Sequence, residues 1–337
     1  MRRALVTGSA GFIGYHLCAR LLREGWHVTG VDALTDYYEV ALKQRRHEML
    51  GAFSGFEPVH ARVEKPGLLE SLLAQGPHDA VIHLAAQAGV RHSIDHPEDY
   101  VTANLVGSFR LLEAVRAHPV GHLLMASTSS VYGANDRMPY RETDKADSQM
   151  SFYAATKKAN EAMAHSYAHL YDIPTTMFRF FTVYGAWGRP DMAHFRFTRA
   201  ILNAEPIDVY NHGRMRRDFT YIDDLTEALV RLIAVRPERP ANPGEIEPGD
   251  SLSPVAPFRI VNIGNSEPVA LMDYIRAIEK ACGREAEKNF MDMQSGDVPA
   301  TCADTSLLKR LTGFVPATPV TEGIARFVAW YRDYYGV

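Results

Sequence analysis

Tyr153 and Lys157 stand four residues apart, a spacing that puts both on one face of a helix. A free phenol has a pKa near ~10 and is a poor base at neutrality. An ammonium beside it, helped by a cationic cofactor ring, favours the phenolate and makes a proton-exchanging pair for a substrate hydroxyl. A second candidate is the hydroxyl row Ser127-Thr128-Ser129-Ser130, followed by Val131-Tyr132-Gly133. Such hydroxyls donate to a sugar oxygen or cap their own loop, and for Ser127 the two readings stand level. A third is Arg189, held between Gly188 and Pro190. A rigid, low-volume loop there brings a guanidinium to a carboxylate or phosphate, which it binds through two parallel hydrogen bonds.

The glycine run Gly8-Ser9-Ala10-Gly11-Phe12-Ile13-Gly14 has the spacing GxxGxxG. Glycines let a diphosphate reach backbone N–H groups at a helix N-terminus, where side chains would block it. Asp32 follows 24 residues after Gly8, at the end of the next apolar run. A carboxylate at that place accepts hydrogen bonds from both hydroxyls of an adenosine ribose, and it repels a 2′-phosphate. Ala33 and Leu34 bring no arginine to hold such a phosphate. The cofactor expected is therefore NAD.

These groups need a frame. Apolar runs at 4–6, 28–31, 80–84, 122–126 and 175–180 read as strands, and helical patterns at 12–23, 101–115 and 154–171 alternate with them. The expectation is an α/β fold, a Rossmann-type doubly wound parallel sheet with ligands at the strand ends. Residues 1–181 form the expected cofactor domain. Residues 182–337 form mainly a smaller mixed α/β substrate domain, with segments around 214–235 and 258–265 returning to the first. In the second half a strand at 207–210 ends in a turn at Asn211-His212-Gly213, and helices are expected at 223–232, 271–282 and 322–334. Residues 236–258 hold six prolines and read as an exposed loop. There is no internal repeat.

Composition removes other classes. The chain has 337 residues, 46% hydrophobic and 23% charged, which is ordinary for a globular protein of about two domains. Its net charge is −4, against the basic excess that nucleic acid binding needs. Yet residues 187–217 carry six arginines against Asp191, Glu205 and Asp208, a basic segment suited to one small anion. Cys18, Cys282 and Cys302 are too few and too scattered for a disulfide framework or a cysteine metal site, and they fit a reducing cytoplasm. The run after Met1-Arg2-Arg3 is broken at once by Thr7, Gly8 and Ser9, so neither a signal peptide nor a membrane span is expected.

Taken together, the glycine loop, the YxxxK pair and the hydroxyl row resemble the extended short-chain dehydrogenase/reductase family of NAD-dependent epimerases and dehydratases, along nearly the whole chain. Three stretches are similar to its bacterial and plant UDP-glucuronate 4-epimerases. They are Asp36-Tyr37-Tyr38-Glu39-Val40-Ala41-Leu42-Lys43, the segment 181–192, and Arg216-Arg217-Asp218-Phe219-Thr220-Tyr221-Ile222-Asp223-Asp224. The resemblance implies C4 epimerisation of a UDP-hexuronate by transient oxidation to a 4-keto sugar, rotation and re-reduction, in a cytoplasmic homodimer without metal, membrane or nucleic acid. It implies Thr128, Tyr153 and Lys157 as catalytic residues. Gly8, Gly11, Phe12, Ile13, Gly14, Asp32, Leu84, Ala85, Ala86 and Asn104, with Tyr153 and Lys157, are the implied NAD contacts. Thr128, Ser129, Ser130, Thr182 and Arg189 are the implied sugar and carboxylate contacts, and Arg217 and Asp297 lie on the nucleotide side.

Relatives of the same machinery remain as alternatives: a UDP-glucuronate decarboxylase, a neutral UDP-hexose 4-epimerase and, more distantly, a non-catalytic NAD-sensing regulator. The retained YxxxK speaks against the regulator. Ser129 and Ser130, where dehydratases carry an Asp-Glu pair, speak against dehydration. Arg189 and Gln294 favour the uronate over a neutral hexose. Arg62-Val63-Glu64 departs from the family's Asp-containing adenine segment.

Overall fold

The computed structural model describes residues 1–294 and 296–337. Six strands, β1 (Arg3–Thr7), β2 (His27–Asp32), β3 (Phe56–His60), β4 (Ala80–His83), β5 (Leu123–Ala126) and β6 (Thr175–Phe180), precede the smaller strands β7 (Thr182–Tyr184), β8 (Ile207–Val209) and β9 (Arg216–Tyr221). Strands β10 (Phe258–Ile263), β11 (Pro268–Ala270) and β12 (Lys288–Phe290) complete the set. Seven strands form one sheet in the order β10-β6-β5-β4-β1-β2-β3, and every pairing in it is parallel. Helices cover both faces, so β1, β4, β5 and β6 are buried almost throughout. Strand order reverses between β1 and β4, which opens a crevice at their carboxyl ends.

Three elements of this sheet layer are absent from the sequence expectation: the helix Val40–Gly51, strand β3 and the helix Leu68–Leu73. For the first two the reason is visible. Val40–Gly51 buries Lys43, Arg46 and His47, so its inward face reads as solvated. β3 contains Pro58, which an edge strand tolerates because one side of its backbone has no ladder to complete. The helix expected at 101–115 is not uniform: Val101–Val106 winds as a wider π-type turn before the α-helix Gly107–Ala117.

The smaller half carries a three-stranded sheet, β11-β9-β7, and a two-stranded parallel pair, β12-β8. Asp218 on β9 is buried and accepts backbone N–H bonds from Asn265, Ser266 and Ala303 at 2.7–3.0 Å. It ties three chain segments together beside Arg217. The proline-rich stretch before β10 is exposed over most of its length, with one short turn at Pro243–Glu245. It is pinned near both ends: Arg239 bonds the His169 carbonyl at 2.8 Å, Asp250 pairs with Arg259 at 2.9 Å, and Ala256 is fully buried. Among the described residues no helix is long and apolar enough to cross a membrane, and no cluster of His, Cys, Asp or Glu could hold a metal ion. The three cysteines are free.

Candidate active site

The glycine loop lies between β1 and the helix Phe12–Arg23. Gly8 has φ +76°, and a Cβ on it would meet the Leu84 carbonyl carbon at 2.9 Å and the Ala85 nitrogen at 2.8 Å. A Cβ on Gly14 would lie 2.0 Å from the Gly8 carbonyl oxygen. The loop is thus packed to contact against the segment Leu84, Ala85, Ala86, which Thr7 holds by accepting from the Ala85 N–H at 3.2 Å. Gly11 caps the helix without a side chain, so the amides of Phe12 and Ile13 begin it with no side-chain partner. Asp32 accepts from Ala10 N–H at 2.9 Å through one oxygen and from Leu34 N–H at 2.8 Å through the other. Each carboxylate oxygen keeps a second lone pair for a ribose hydroxyl. A glycine cradle, an uncapped helix N-terminus and an oriented carboxylate are a donor set that fits NAD.

Ser151 starts the helix Phe152–Tyr171 by accepting from Ala154 N–H at 3.1 Å, which places Tyr153 in the first turn and Lys157 one turn on. Burial pushes the half-buried Tyr153 phenol up, while the hydrogen-bonded Thr128 hydroxyl and the positive Arg189 pull it down. The sequence reading assigned the downward pull to Lys157. In the structure the Lys157 ammonium instead donates to the Ala126 carbonyl at the end of β5, at 3.0 Å. Burial lowers Lys157 to about 8, so it is still mainly protonated at neutrality.

Thr128 caps the short turn Ser129–Tyr132 by accepting from Ser130 N–H at 3.2 Å. Gly133 closes that turn where a Cβ would strike the Ser148 carbonyl. Ser129 and Ser130 stay half-buried at the same strand end. Ser127 does not join them. Its hydroxyl donates to Glu161 at 2.6 Å, and Glu161 is gripped by both ends of the buried Arg179 guanidinium at 2.9 Å. Ser127 is structural.

Thr182 begins β7, and Arg189 follows on the next loop. The guanidinium is paired: its Nε donates to Asp191 Oδ1 at 3.0 Å and its Nη2 to Oδ2 at 2.5 Å. Burial works against its charge, and Asp191 more than reverses that. Tyr37 donates to the same carboxylate at 3.4 Å. Burial also works against the charge of Arg217, where Asp297 supports it and Arg91 opposes it. Arg91 itself donates to Asp297 at 3.1 Å. Two guanidinium groups near one carboxylate leave net positive charge, which suits an anion. Of the six arginines in 187–217 only Arg189 and Arg217 are half-buried; Arg196, Arg199, Arg214 and Arg216 face solvent, so the basic segment is not a single anion pocket.

The structure sets Asn104 apart from the other implied cofactor contacts. It is fully buried, with its carboxamide spent on the Gln87 N–H (2.8 Å), the Gln87 carbonyl (3.1 Å) and Thr156 (3.1 Å). It shapes the loop after β4 from behind. At the departing segment 62–64, Val63 is buried and Arg62 pairs with Glu64 at 3.3 Å. Sequence reasoning missed Arg91, Asp191 and Arg46. Only Asp191 carried a signal, lying two residues after Arg189 within a stretch already singled out.

Comparison with known proteins agrees with this geometry. Residues 4–245 match the model of the NAD dependent epimerase/dehydratase family. A probable UDP-glucuronate 4-epimerase of Rhizobium meliloti is 54% identical over 333 residues, covering 99% of this chain and 98% of that protein. UDP-glucuronate 4-epimerase 4 of Arabidopsis thaliana is 43% identical, covering 98% of this chain and 75% of its own length. The crystal structure of UDP-glucuronic acid 4-epimerase from Bacillus cereus, in complex with UDP-glucuronic acid and NAD, superposes with a TM-score of 0.87 at 32% identity, covering 99% of this chain and 100% of that one. With a family model matched over most of its length, this chain belongs to the NAD-dependent epimerase/dehydratase family.

Proposed function

We propose that this chain is a UDP-glucuronate 4-epimerase, interconverting UDP-glucuronate and UDP-galacturonate. The observation that supports the reading is that two groups favour the Tyr153 phenolate, the Thr128 hydroxyl and the Arg189 guanidinium. A neutral sugar needs the first; only an acidic one uses the second.

Tyr153 takes the proton of the sugar 4-OH and later returns it, while Thr128 holds that oxygen. Bound NAD supplies the reversible two-electron oxidation of C4; Gly8, Gly11, Gly14, Phe12, Ile13 and Asp32 would hold it. Lys157, one turn on from Tyr153 and bonded to the Ala126 carbonyl, would help hold the cofactor. The 4-keto sugar turns about its diphosphate linkage, anchored by Arg217 and Arg91, and presents its other face before reduction. That intermediate is a β-keto acid, which loses CO2 when the carboxylate bond stands perpendicular to the carbonyl plane. Arg189, Thr182, Ser129 and Ser130 hold the carboxylate away from that orientation.

The enzyme in this reading is a cytoplasmic homodimer. Free cysteines support the compartment. Exposed Val101, Phe109 and Phe152, on helices beside the site, support an apolar contact with a second copy. The test is incubation with UDP-glucuronate without added reductant, followed by chromatography. UDP-galacturonate is the expected product; UDP-xylose or a 4-keto pentose would make the protein a decarboxylating lyase, and no product would make it a regulator.

A further inference from the structure

Arg46 is, with Arg179, one of the two largest fully buried side chains, and among the described residues it makes no ion pair. Arg179, equally buried, has Glu161. A lone interior cation is costly and persists where it is needed for something. Four N–H donors of Arg46 are used. Nη1 donates to the Ala10 carbonyl and to the Tyr38 hydroxyl, each at 2.8 Å. Nη2 donates to the Trp187 carbonyl at 2.6 Å and the Gly188 carbonyl at 3.1 Å.

The two ends of this fork belong to different sites. Ala10 is in the phosphate loop, and its own N–H is the one held by Asp32. Trp187 and Gly188 directly precede Arg189. A third carbonyl in that row, Ala186, is bonded by His16 Nε2 at 3.0 Å, from the helix that begins at the phosphate loop. Burial lowers His16 to about 4, so it stays neutral and donates. Trp187 has φ +59°, a strained conformation for a bulky residue that holds only when its surroundings impose it. Three successive carbonyls are thus fastened to the cofactor half, immediately before the arginine that faces the sugar.

We infer that Arg46 is a positioning residue for carboxylate recognition: one guanidinium joins the phosphate loop to the backbone that aims Arg189, so the sugar clamp takes its geometry from the cofactor cradle. This also gives a purpose to the 36–43 stretch, since Tyr38 is one of Arg46's partners and Tyr37 contacts Asp191. The inference rests on Arg189 being the carboxylate-binding group.

The experiment measures, by calorimetry on NAD-loaded protein, the affinity for UDP-glucuronate relative to that for UDP, which has no carboxylate. The variants are Arg46→Lys, Arg46→Gln, Arg189→Ala and the double variant Arg46→Lys/Arg189→Ala. Lysine keeps the charge but loses the planar fork. Arg46→Lys should leave UDP binding as it is and weaken UDP-glucuronate by about tenfold or more, with Arg46→Gln weaker still. In the Arg189→Ala background Arg46→Lys should add nothing. A normal ratio in Arg46→Lys, or additive losses in the double variant, overturns the inference while leaving Arg189 in place. A normal ratio in Arg189→Ala overturns the underlying reading as well. If the Arg46 variants do not fold, His16→Leu, which frees the Ala186 carbonyl, should show the same loss in smaller measure; an unchanged ratio there overturns the inference.

Discussion

At the proposed cofactor cradle the groups on offer are main chain: the amides of Phe12 and Ile13 at an uncapped helix end, reached through Gly8, Gly11 and Gly14. At the proposed sugar and diphosphate site the groups on offer are side chains, with Arg189 and Arg217 reaching from segments more than 150 residues downstream. The first region is rigid, because a Cβ added at Gly8, Gly11 or Gly14 would meet neighbouring backbone at 2.0–3.0 Å. The second is adjustable, because Arg189 is paired with Asp191 and the charge of Arg217 is supported by Asp297, so a ligand must compete with those carboxylates. A cofactor kept through turnover suits the rigid plan, and a sugar that must turn over suits the adjustable one.

The contrast breaks most visibly if the rigid region tolerates change. Gly14→Ala places a methyl 2.0 Å from the Gly8 carbonyl oxygen, so the purified variant should carry no NAD and show no activity. Retained NAD, read from absorbance after denaturation, would remove the argument for close packing. Next comes the chemical centre. Tyr153→Phe should keep NAD and UDP binding but cut kcat by about a thousandfold, the usual range for a lost acid–base group. Near-normal turnover would refute the assignment of the proton carrier. On the adjustable side the effect should be graded. Arg189→Ala should raise KM for UDP-glucuronate by about 10- to 100-fold and release pentose by-product, since charge-assisted bonds are worth about 1.5–3 kcal/mol. Unchanged kinetics without pentose would show that the guanidinium does not face the carboxylate.

The smallest effect separates function from stability. Lys157 has its pKa lowered by burial to about 8, so between there and its unfolded value the native state binds fewer protons and stability rises with pH. Below pH 8 the native state carries the full cost of the buried charge. Lys157→Met should therefore stabilise the protein at pH 7, by up to about 3 kcal/mol, and flatten its alkaline rise in Tm. A less stable variant would mean that the bond to the Ala126 carbonyl outweighs the cost of burial.

What was legible in the sequence follows the same division. A main-chain site must be written in glycines at fixed spacing, so Gly8 to Gly14 and Asp32 could be read directly. Tyr153 and Lys157 were legible because a helix converts their spacing into a shared face. The partners of charged side chains were not, since a contact across more than a hundred residues leaves no local trace. Arg46 sits in a polar-looking helix and is nonetheless sealed inside, and Lys157 turns to a carbonyl rather than to the phenol. The hydroxyl row shows the limit most plainly. Ser127 and Thr128 are neighbours of similar chemistry, yet only the second stands beside Tyr153, because Glu161 takes up the first.

The wide turn at Val101–Val106 acts as an inserted residue in an otherwise regular helix. It shifts the helical phase, so that Gly107–Ala117 can keep Leu111, Leu112 and Val115 in the core while Asn104 still meets Gln87 and Thr156. Shortening the chain there by one residue would restore a regular helix and spare the hydrophobic face. It would also swing Asn104 by about 100° per residue removed and leave the loop after β4 without its internal brace.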